Sequence, residues 1–118
     1  GPEQAIVAHE LVRGKLFMPV HWGTFDRAVH NWTEPVERLL AAAEQAGVAV
    51  AVPRPGQSVD PSAPPTLSRW WPQVPWQTAS QTPVLSTGLS ETLQARIRAF
   101  VAPTPLDKPG SKSLRSQR

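Results

Sequence analysis

The hydrophobic positions of this chain follow two patterns, and the first of them predicts helices. Apolar residues recur at three- and four-residue spacing in three stretches, which is the spacing of one face of an amphipathic helix. We therefore predict helices over residues 2–12, 34–46 and 90–101. Gly14 and Gly47 are the predicted stop residues of the first and second helices, because glycine readily adopts the conformation that ends a helix.

The second pattern is a short, continuous apolar run, which occurs at residues 16–20 and again at residues 48–52. Runs of this length without alternation are typical of strands buried on both faces. Two prolines and a glycine within residues 53–56 end the second run. The order helix, strand, loop, helix, strand predicts an α/β fold, in which each strand requires neighbouring strands.

Composition divides the chain into four predicted segments. Most of its fourteen prolines lie at or after Pro53. We expect an ordered domain at 1–60 and a Pro- and Trp-rich irregular segment at 61–88. A helix at 89–102 and a basic, disordered tail at 103–118 complete the chain.

Charge and composition exclude several classes of protein. The formal net charge of +3 is located in the tail, and the rest of the chain is neutral. Because the tail has no aromatic residue to stack on bases, no nucleic-acid partner is expected. Cysteine is absent, no apolar run approaches the ~20 residues that span a bilayer, and no signal-peptide pattern opens the chain. The sequence therefore predicts a soluble, cytoplasmic protein.

Histidine is the residue type on which a metal site would depend, since cysteine is absent. His21 follows the first apolar run, where an α/β fold places its functional loops. His9 lies within the first predicted helix and is interpreted as a surface or packing residue. His30 could line the same pocket as His21 or make a structural hydrogen bond. A hydrolytic zinc site needs about three protein ligands, so spacing alone leaves the role of His21 open.

Other chemistries lack their sequence signatures. The chain has no glycine-rich phosphate loop, no nucleophile elbow around a serine, and no acidic pair of the kind that marks glycoside hydrolysis. Trp22 and Trp32 flank the loop after His21. They are interpreted either as hydrophobic anchors or as side chains that stack on a ligand.

The loop around His21 resembles a known family. Residues 19–25 read PVHWGTF, residues 30–35 read HNWTEP, and a helix with a Leu-Leu-Ala core follows. This combination resembles the C-terminal region of metallo-β-lactamase-fold hydrolases. The branch it resembles includes the N-acyl-phosphatidylethanolamine-hydrolysing phospholipase D enzymes and bacterial lactonase-like relatives. The resemblance covers about residues 1–60.

The resemblance implies a fold, a cofactor and a reaction. The fold is a four-layer αββα sandwich with an incomplete sheet here, and His21 is a ligand of a centre with one or two zinc ions. Zinc activates a water molecule, which attacks the ester, lactone or phosphodiester bond of a small-molecule or lipid-like substrate. The family's principal motif, histidine-x-histidine-x-aspartate-histidine, is absent from this sequence. We therefore expect a C-terminal piece that lacks an upstream portion, does not hold zinc alone and is inactive alone.

The resemblance also assigns candidate roles around His21. The tryptophan, glycine and threonine that follow it hold its loop, and two downstream carboxylates are candidate partners that fix its tautomer. A second histidine faces the substrate pocket. These candidates are Trp22, Gly23, Thr24, Asp26, His30 and Glu34.

A noncatalytic interaction module is the alternative hypothesis. In it, Trp70, Trp71 and Trp76 are exposed anchors that bind a partner together with the basic tail. Under either hypothesis, an incomplete sheet leaves strand edges unpaired, so self-association through an exposed edge is expected.

Overall fold

The computed structural model describes residues 1–25, 30–84 and 90–101, with the backbone alone at the last two positions. These ranges contain three helices: α1 (Pro2–Leu11), α2 (Glu34–Ala46) and α3 (Glu91–Val101). The three predicted helices are confirmed, and only the C-terminal end of α1 and the N-terminal end of α3 move, each by one residue. No helix in the described ranges is both long and apolar enough to cross a membrane.

Helix α2 is the central element because both hydrophobic clusters include its residues. One cluster joins α2 to α1 through Leu39 and Ile6. The other joins α2 to the chain that follows it through Leu40, Val52 and Trp71. Burial of a large apolar side chain contributes roughly 1.5–3 kcal/mol. These two clusters therefore decide which segments pack against α2.

The two ends of α2 use different devices. Gly47 ends the helix in the left-handed conformation, with φ of 67°, as predicted. At the other end, the pattern favours Thr33 as the N-cap, but its side chain makes no capping hydrogen bond. The side-chain oxygen of Asn31 accepts hydrogen bonds from the backbone amides of Thr33 (3.1 Å) and Glu34 (2.9 Å) instead. Asn31 thus satisfies donors that the start of a helix leaves unpaired.

The end of α1 differs from the prediction that Gly14 is its left-handed stop residue. Arg13 has the positive φ, at 54°. Gly14 is required for space, since a Cβ atom there would lie 2.1 Å from Cε1 of the His9 ring. That ring packs edge-on against Phe17, with centroids 5.2 Å apart, so the packing interpretation of His9 is confirmed.

The predicted α/β fold is wrong for the described residues, in which no β-strand forms. The two apolar runs do lie side by side, but they pair through a single parallel bridge between Phe17 and Val50. The amide of Phe17 donates to the carbonyl of Ala49 at 2.8 Å, and the amide of Ala51 donates to the carbonyl of Phe17 at 2.9 Å. The described residues are helical, and they do not form an α/β sandwich with a sheet.

Proline explains why the pairing stops. In a parallel ladder the next donor after Phe17 would be residue 19, and Pro19 has no amide hydrogen. Met18 and Val20 are then left 51% and 64% exposed, where the prediction buries them. The sheet edge on which the self-association prediction depends is consequently absent from the described residues.

Helix α3 packs on α1. Ile97 is buried, and the guanidinium of Arg96 forms an ion pair with the Glu10 carboxylate at 2.6 Å. Ser90 precedes the helix, and its hydroxyl accepts a hydrogen bond from the amide of Leu93 at 3.4 Å. The predicted basic tail at 103–118 lies outside the described residues.

The Pro- and Trp-rich segment has no helix or strand over its described residues, 61–84, as predicted. It crosses α2 and is held there by polar contacts as well as by tryptophans. The side-chain amide of Asn31 donates to the carbonyl of Pro75, and the amide of Gln77 donates to the Glu34 carboxylate at 3.2 Å. These contacts hold the segment against the start of α2 and the loop before it.

Candidate functional site

His21 occupies an exposed turn in a conformation that is uncommon for residues other than glycine. Its φ is 61°, in the left-handed region. Histidine reaches this region more readily than most residues, but the conformation still costs free energy. No described residue forms a hydrogen bond with its ring. Strained residues with available polar groups occur frequently at functional sites, which makes this turn a candidate.

A cavity of about 700 Å³ lies beside His21. One side is the turn that contains His21, and the opposite side is the chain that follows the second apolar run. This volume is within the usual range for a small-molecule site, roughly 300–1,000 Å³. Its walls include Trp22, Trp32, Val52, Pro53, Arg54 and Trp70.

Three tryptophans form a cluster, called here the tryptophan triad: Trp22, Trp70 and Trp71. Their ring centroids lie 5.1 to 5.5 Å apart. Trp70 donates its indole N–H to the carbonyl of Val52 at 3.1 Å, and Trp71 donates its own to the Glu37 carboxylate at 2.8 Å. Because two of the three indole N–H groups are bonded within the protein, the triad is fixed in orientation.

Charged side chains, most of them buried, hold the triad and the elements around it in place. The Glu37 carboxylate also accepts hydrogen bonds from Arg69 at 3.2 Å. Nearby, the buried Arg38 guanidinium contacts Glu3 at 2.7 Å and Glu34 at 3.6 Å. Breaking a buried pair of this kind leaves an unpaired charge, so these side chains are structural. They tie α1, α2 and the Pro- and Trp-rich segment together.

The predicted residues next to His21 surround the cavity. Trp22, Gly23 and Thr24 all line it. Gly23 has a φ of 77°, which favours glycine, and a Cβ there would lie 3.7 Å from the Trp32 ring. Their role in holding the His21 loop stays a prediction.

Of the other predicted candidates, the two that the structure describes, His30 and Glu34, do not meet His21. Asp26 lies outside the described residues. The Nδ1 atom of His30 is 2.9 Å from the carbonyl oxygen of Asn31, and His30 is not among the residues that line the cavity. The Glu34 carboxylate is buried and contacts Arg38, so it does not reach the imidazole of His21.

The described residues do not complete a metal site. Among them, no group of three or more histidine, cysteine, aspartate or glutamate side chains is placed to hold a metal ion. His21 offers a single imidazole at the cavity, whereas a hydrolytic zinc site needs about three protein ligands.

Two features of this site could not be predicted from the sequence. Arg54 lines the cavity, whereas the pattern of residues 53–56 indicates only the end of the second apolar run. The interaction-module hypothesis makes Trp71 an exposed anchor, but Trp71 is 3% exposed and belongs to the core. Trp70 is partly buried and also packs internally. The proximity of tryptophans to prolines indicated anchoring, yet it did not indicate whether they anchor a partner or this chain.

Comparison with known proteins finds relatives but no family. No family model matches the chain, and no solved structure matches it. An uncharacterized protein of Mycobacterium bovis and two sequences of an uncharacterized protein from Mycobacterium tuberculosis strains are each 58% identical over 73 residues. The match covers 59% of this chain and 20% of each relative. The chain thus corresponds to about a fifth of the length of the curated relatives it matches.

Proposed function

We propose that this chain supplies one metal ligand, His21, and part of the substrate cavity of a zinc-dependent hydrolase that acts on an ester, a lactone or a phosphodiester. The observation that carries the proposal is the conformation of His21. Its imidazole is exposed at the rim of a cavity, in a left-handed turn, without a hydrogen bond from any described residue. The resemblance of residues 19–25 to metallo-β-lactamase-type hydrolases supports the same role.

The remaining ligands belong to a longer protein in this proposal. The described residues do not fit zinc by themselves, since they bring one ligand to the cavity. The matched segment is 20% of each mycobacterial relative, which leaves room for further ligands in a protein of that length. A cytoplasmic location and a small-molecule or lipid-like ester are parts of the same proposal. The proposal does not include a nucleic-acid partner.

What this chain's own residues do follows from their positions. Trp22 and Gly23 keep the His21 turn against the cavity wall. Trp22 does so by packing in the tryptophan triad, and Gly23 by adopting the positive φ that the chain has after Trp22. Trp32 and Trp70 provide apolar surface for the body of a substrate.

The test is the zinc content and hydrolytic activity of the longest protein that contains this chain, with and without the substitution His21→Asn. Asparagine tolerates a positive φ, so the variant keeps the turn and removes the imidazole. We expect zinc content to fall and hydrolysis of a phosphodiester or lactone to decrease by more than about 100-fold, since substitutions of groups outside the ligand set already cost about 10- to 100-fold.

His30→Gln is the matched control. His30 is partly buried, contacts the Asn31 carbonyl and does not line the cavity. This variant should keep both the zinc content and the activity of the parent. An unchanged zinc content in His21→Asn, with unchanged helix content by circular dichroism, would contradict the proposal.

A further inference from the structure

The permanent charge in the described lining of the cavity beside His21 is positive. Among the described residues that line it there is no aspartate or glutamate, and Arg54 is the one that carries a permanent charge. An anionic group of a ligand in this cavity would therefore meet the positive charge of Arg54 and no carboxylate of the described lining.

A tight turn places Arg54 at the cavity. The amide of Gln57 donates to the carbonyl of Arg54 at 2.9 Å, and Gly56 has a φ of 83°. These are the features of a type II turn, with Pro55 in the position that proline favours. The side-chain oxygen of Gln57 also accepts a hydrogen bond from the Arg54 amide at 3.0 Å. The backbone of Arg54 is thus held on both sides.

The guanidinium of Arg54 is available to a ligand. It forms no hydrogen bond or ion pair with any described residue. Three other arginines are paired: Arg38 with Glu3, Arg69 with Glu37, and Arg96 with Glu10. Arg13 also lacks a partner among the described residues, but it does not line the cavity. A guanidinium binds carboxylates and phosphates through two parallel hydrogen bonds.

Apolar surface lies next to this charge. Trp22, Trp32 and Trp70 line the same cavity, together with prolines and Val52. Since the indole N–H of Trp70 is bonded to the Val52 carbonyl, that ring offers apolar surface rather than a donor. A ligand that fits this arrangement has an apolar chain or ring and one anionic group.

We infer that the cavity binds an amphipathic anion, with its apolar part against Trp22 and Trp70 and its carboxylate or phosphate on Arg54. Arg54 is then the residue that selects the charge of the ligand. An aromatic cage can instead bind a quaternary ammonium ion, but such cages depend on attraction to the ring faces, and Arg54 would repel a cation here. The inference rests on the proposed function, because it names the substrate class of the same site.

The experiment titrates the purified chain with four ligands that share an eight-carbon tail, below their micelle concentrations and with a metal chelator present. The ligands are octanoate, octyl phosphate, octanol and octyltrimethylammonium. Tryptophan fluorescence reports binding, since three of the five tryptophans line the cavity. We expect octanoate or octyl phosphate to bind at least about fivefold more tightly than octanol, and the ammonium ion most weakly. Whichever anion binds more tightly identifies the preferred head group.

Arg54→Gln should lower the affinity for the anions about tenfold and leave octanol binding unchanged. Arg98→Gln is the control, because Arg98 lies on α3 and its contact is with Gln94. Tighter binding of the ammonium ion, no binding of either anion, or equal anion binding by Arg54→Gln would overturn the inference. Because no zinc is present, these outcomes are independent of the zinc measurements on His21→Asn.

Discussion

Trp71 donates its indole N–H to the carboxylate of Glu37 at 2.8 Å, and both side chains are buried. This bond joins α2 to the Pro- and Trp-rich segment. The Trp71 ring also lies 5.1 Å from the ring of Trp22, the residue after His21. This hydrogen bond to a charged group is therefore one of the contacts that link the orientation of the cavity wall to α2.

Trp71→Phe tests the strength of this link. The substitution keeps an aromatic ring but removes the donor, so Glu37 keeps only its bonds to the half-exposed Arg69. A hydrogen bond to a buried charge contributes about 1.5–3 kcal/mol, and we expect a loss of that size in the free energy of unfolding. Urea denaturation measures it.

Trp76→Phe is the comparison for that experiment. Trp76 is partly buried, and its indole donates no hydrogen bond to a described residue. We expect this variant to lose less than about 1 kcal/mol. Equal losses in the two variants would mean that ring volume matters and the bond to Glu37 does not.

Ile97 should matter more than Arg96 for the attachment of α3 to α1. Ile97 is 4% exposed, and truncation of such a side chain to alanine costs about 2–5 kcal/mol. The ion pair of Arg96 with Glu10 is 40% and 33% exposed at its two side chains, where water weakens it to about 0–1 kcal/mol. Denaturation of Ile97→Ala and Arg96→Gln compares the two, and a larger loss in Arg96→Gln would refute this ranking.

His21→Gly should stabilise the chain, although it removes a candidate ligand. A left-handed conformation costs a residue other than glycine roughly 1–2 kcal/mol, while glycine adds about 0.5–1 kcal/mol of unfolded-state entropy. We therefore expect a gain of up to about 1 kcal/mol in thermal denaturation. Val20→Gly, at an exposed neighbour without a positive φ, should lose stability instead. A loss in both variants would show that the turn is not strained.

Asp60 provides a prediction about pH. The Ser62 hydroxyl donates to its carboxylate at 2.6 Å and the Ser62 amide at 2.8 Å, and these bonds hold the pKa of Asp60 below its usual 3.8. Ser62→Ala should raise that pKa toward 3.8, since the hydroxyl is the largest cause. Titration by NMR measures the change. An Asp60 pKa in Ser62→Ala equal to that of the parent would contradict the prediction.

The direction of the associated stability effect follows from linkage. A carboxyl group with a lowered folded pKa stabilises the fold above its unfolded pKa, and this stabilisation is lost as pH falls through the folded value. The turn at residues 60–63 should consequently open in acid at a higher pH in Ser62→Ala than in the parent.

The helices could be predicted because their signals are local. The spacing of apolar residues in α2, and the glycine at its end, depend on residues within a few positions of each other. The strands failed for the opposite reason. A continuous apolar run is a strand only where neighbours accept its hydrogen bonds, and Pro19 removes the donor with which the ladder would continue.

Some features of the candidate site could likewise be predicted from local sequence, whereas others depend on tertiary contacts. The position of His21 after an apolar run was visible along the chain, and so were the tryptophans. The placement of Glu34 depended on Arg38 and Gln77, which hold its carboxylate away from the imidazole. The burial of Trp71 depended on Glu37, a residue 34 positions away.

Local sequence signals were enough to predict the three helices, the irregular course of the Pro- and Trp-rich segment and the turn that follows the second apolar run. Three features of the site became visible only in the folded chain: the tryptophans that line the cavity, the position of Arg54 as the permanent charge of its described lining, and the left-handed conformation of His21. The physical reason is range: helices and turns are set by neighbouring residues, whereas burial and charge pairing are set by residues that meet only after the chain has folded.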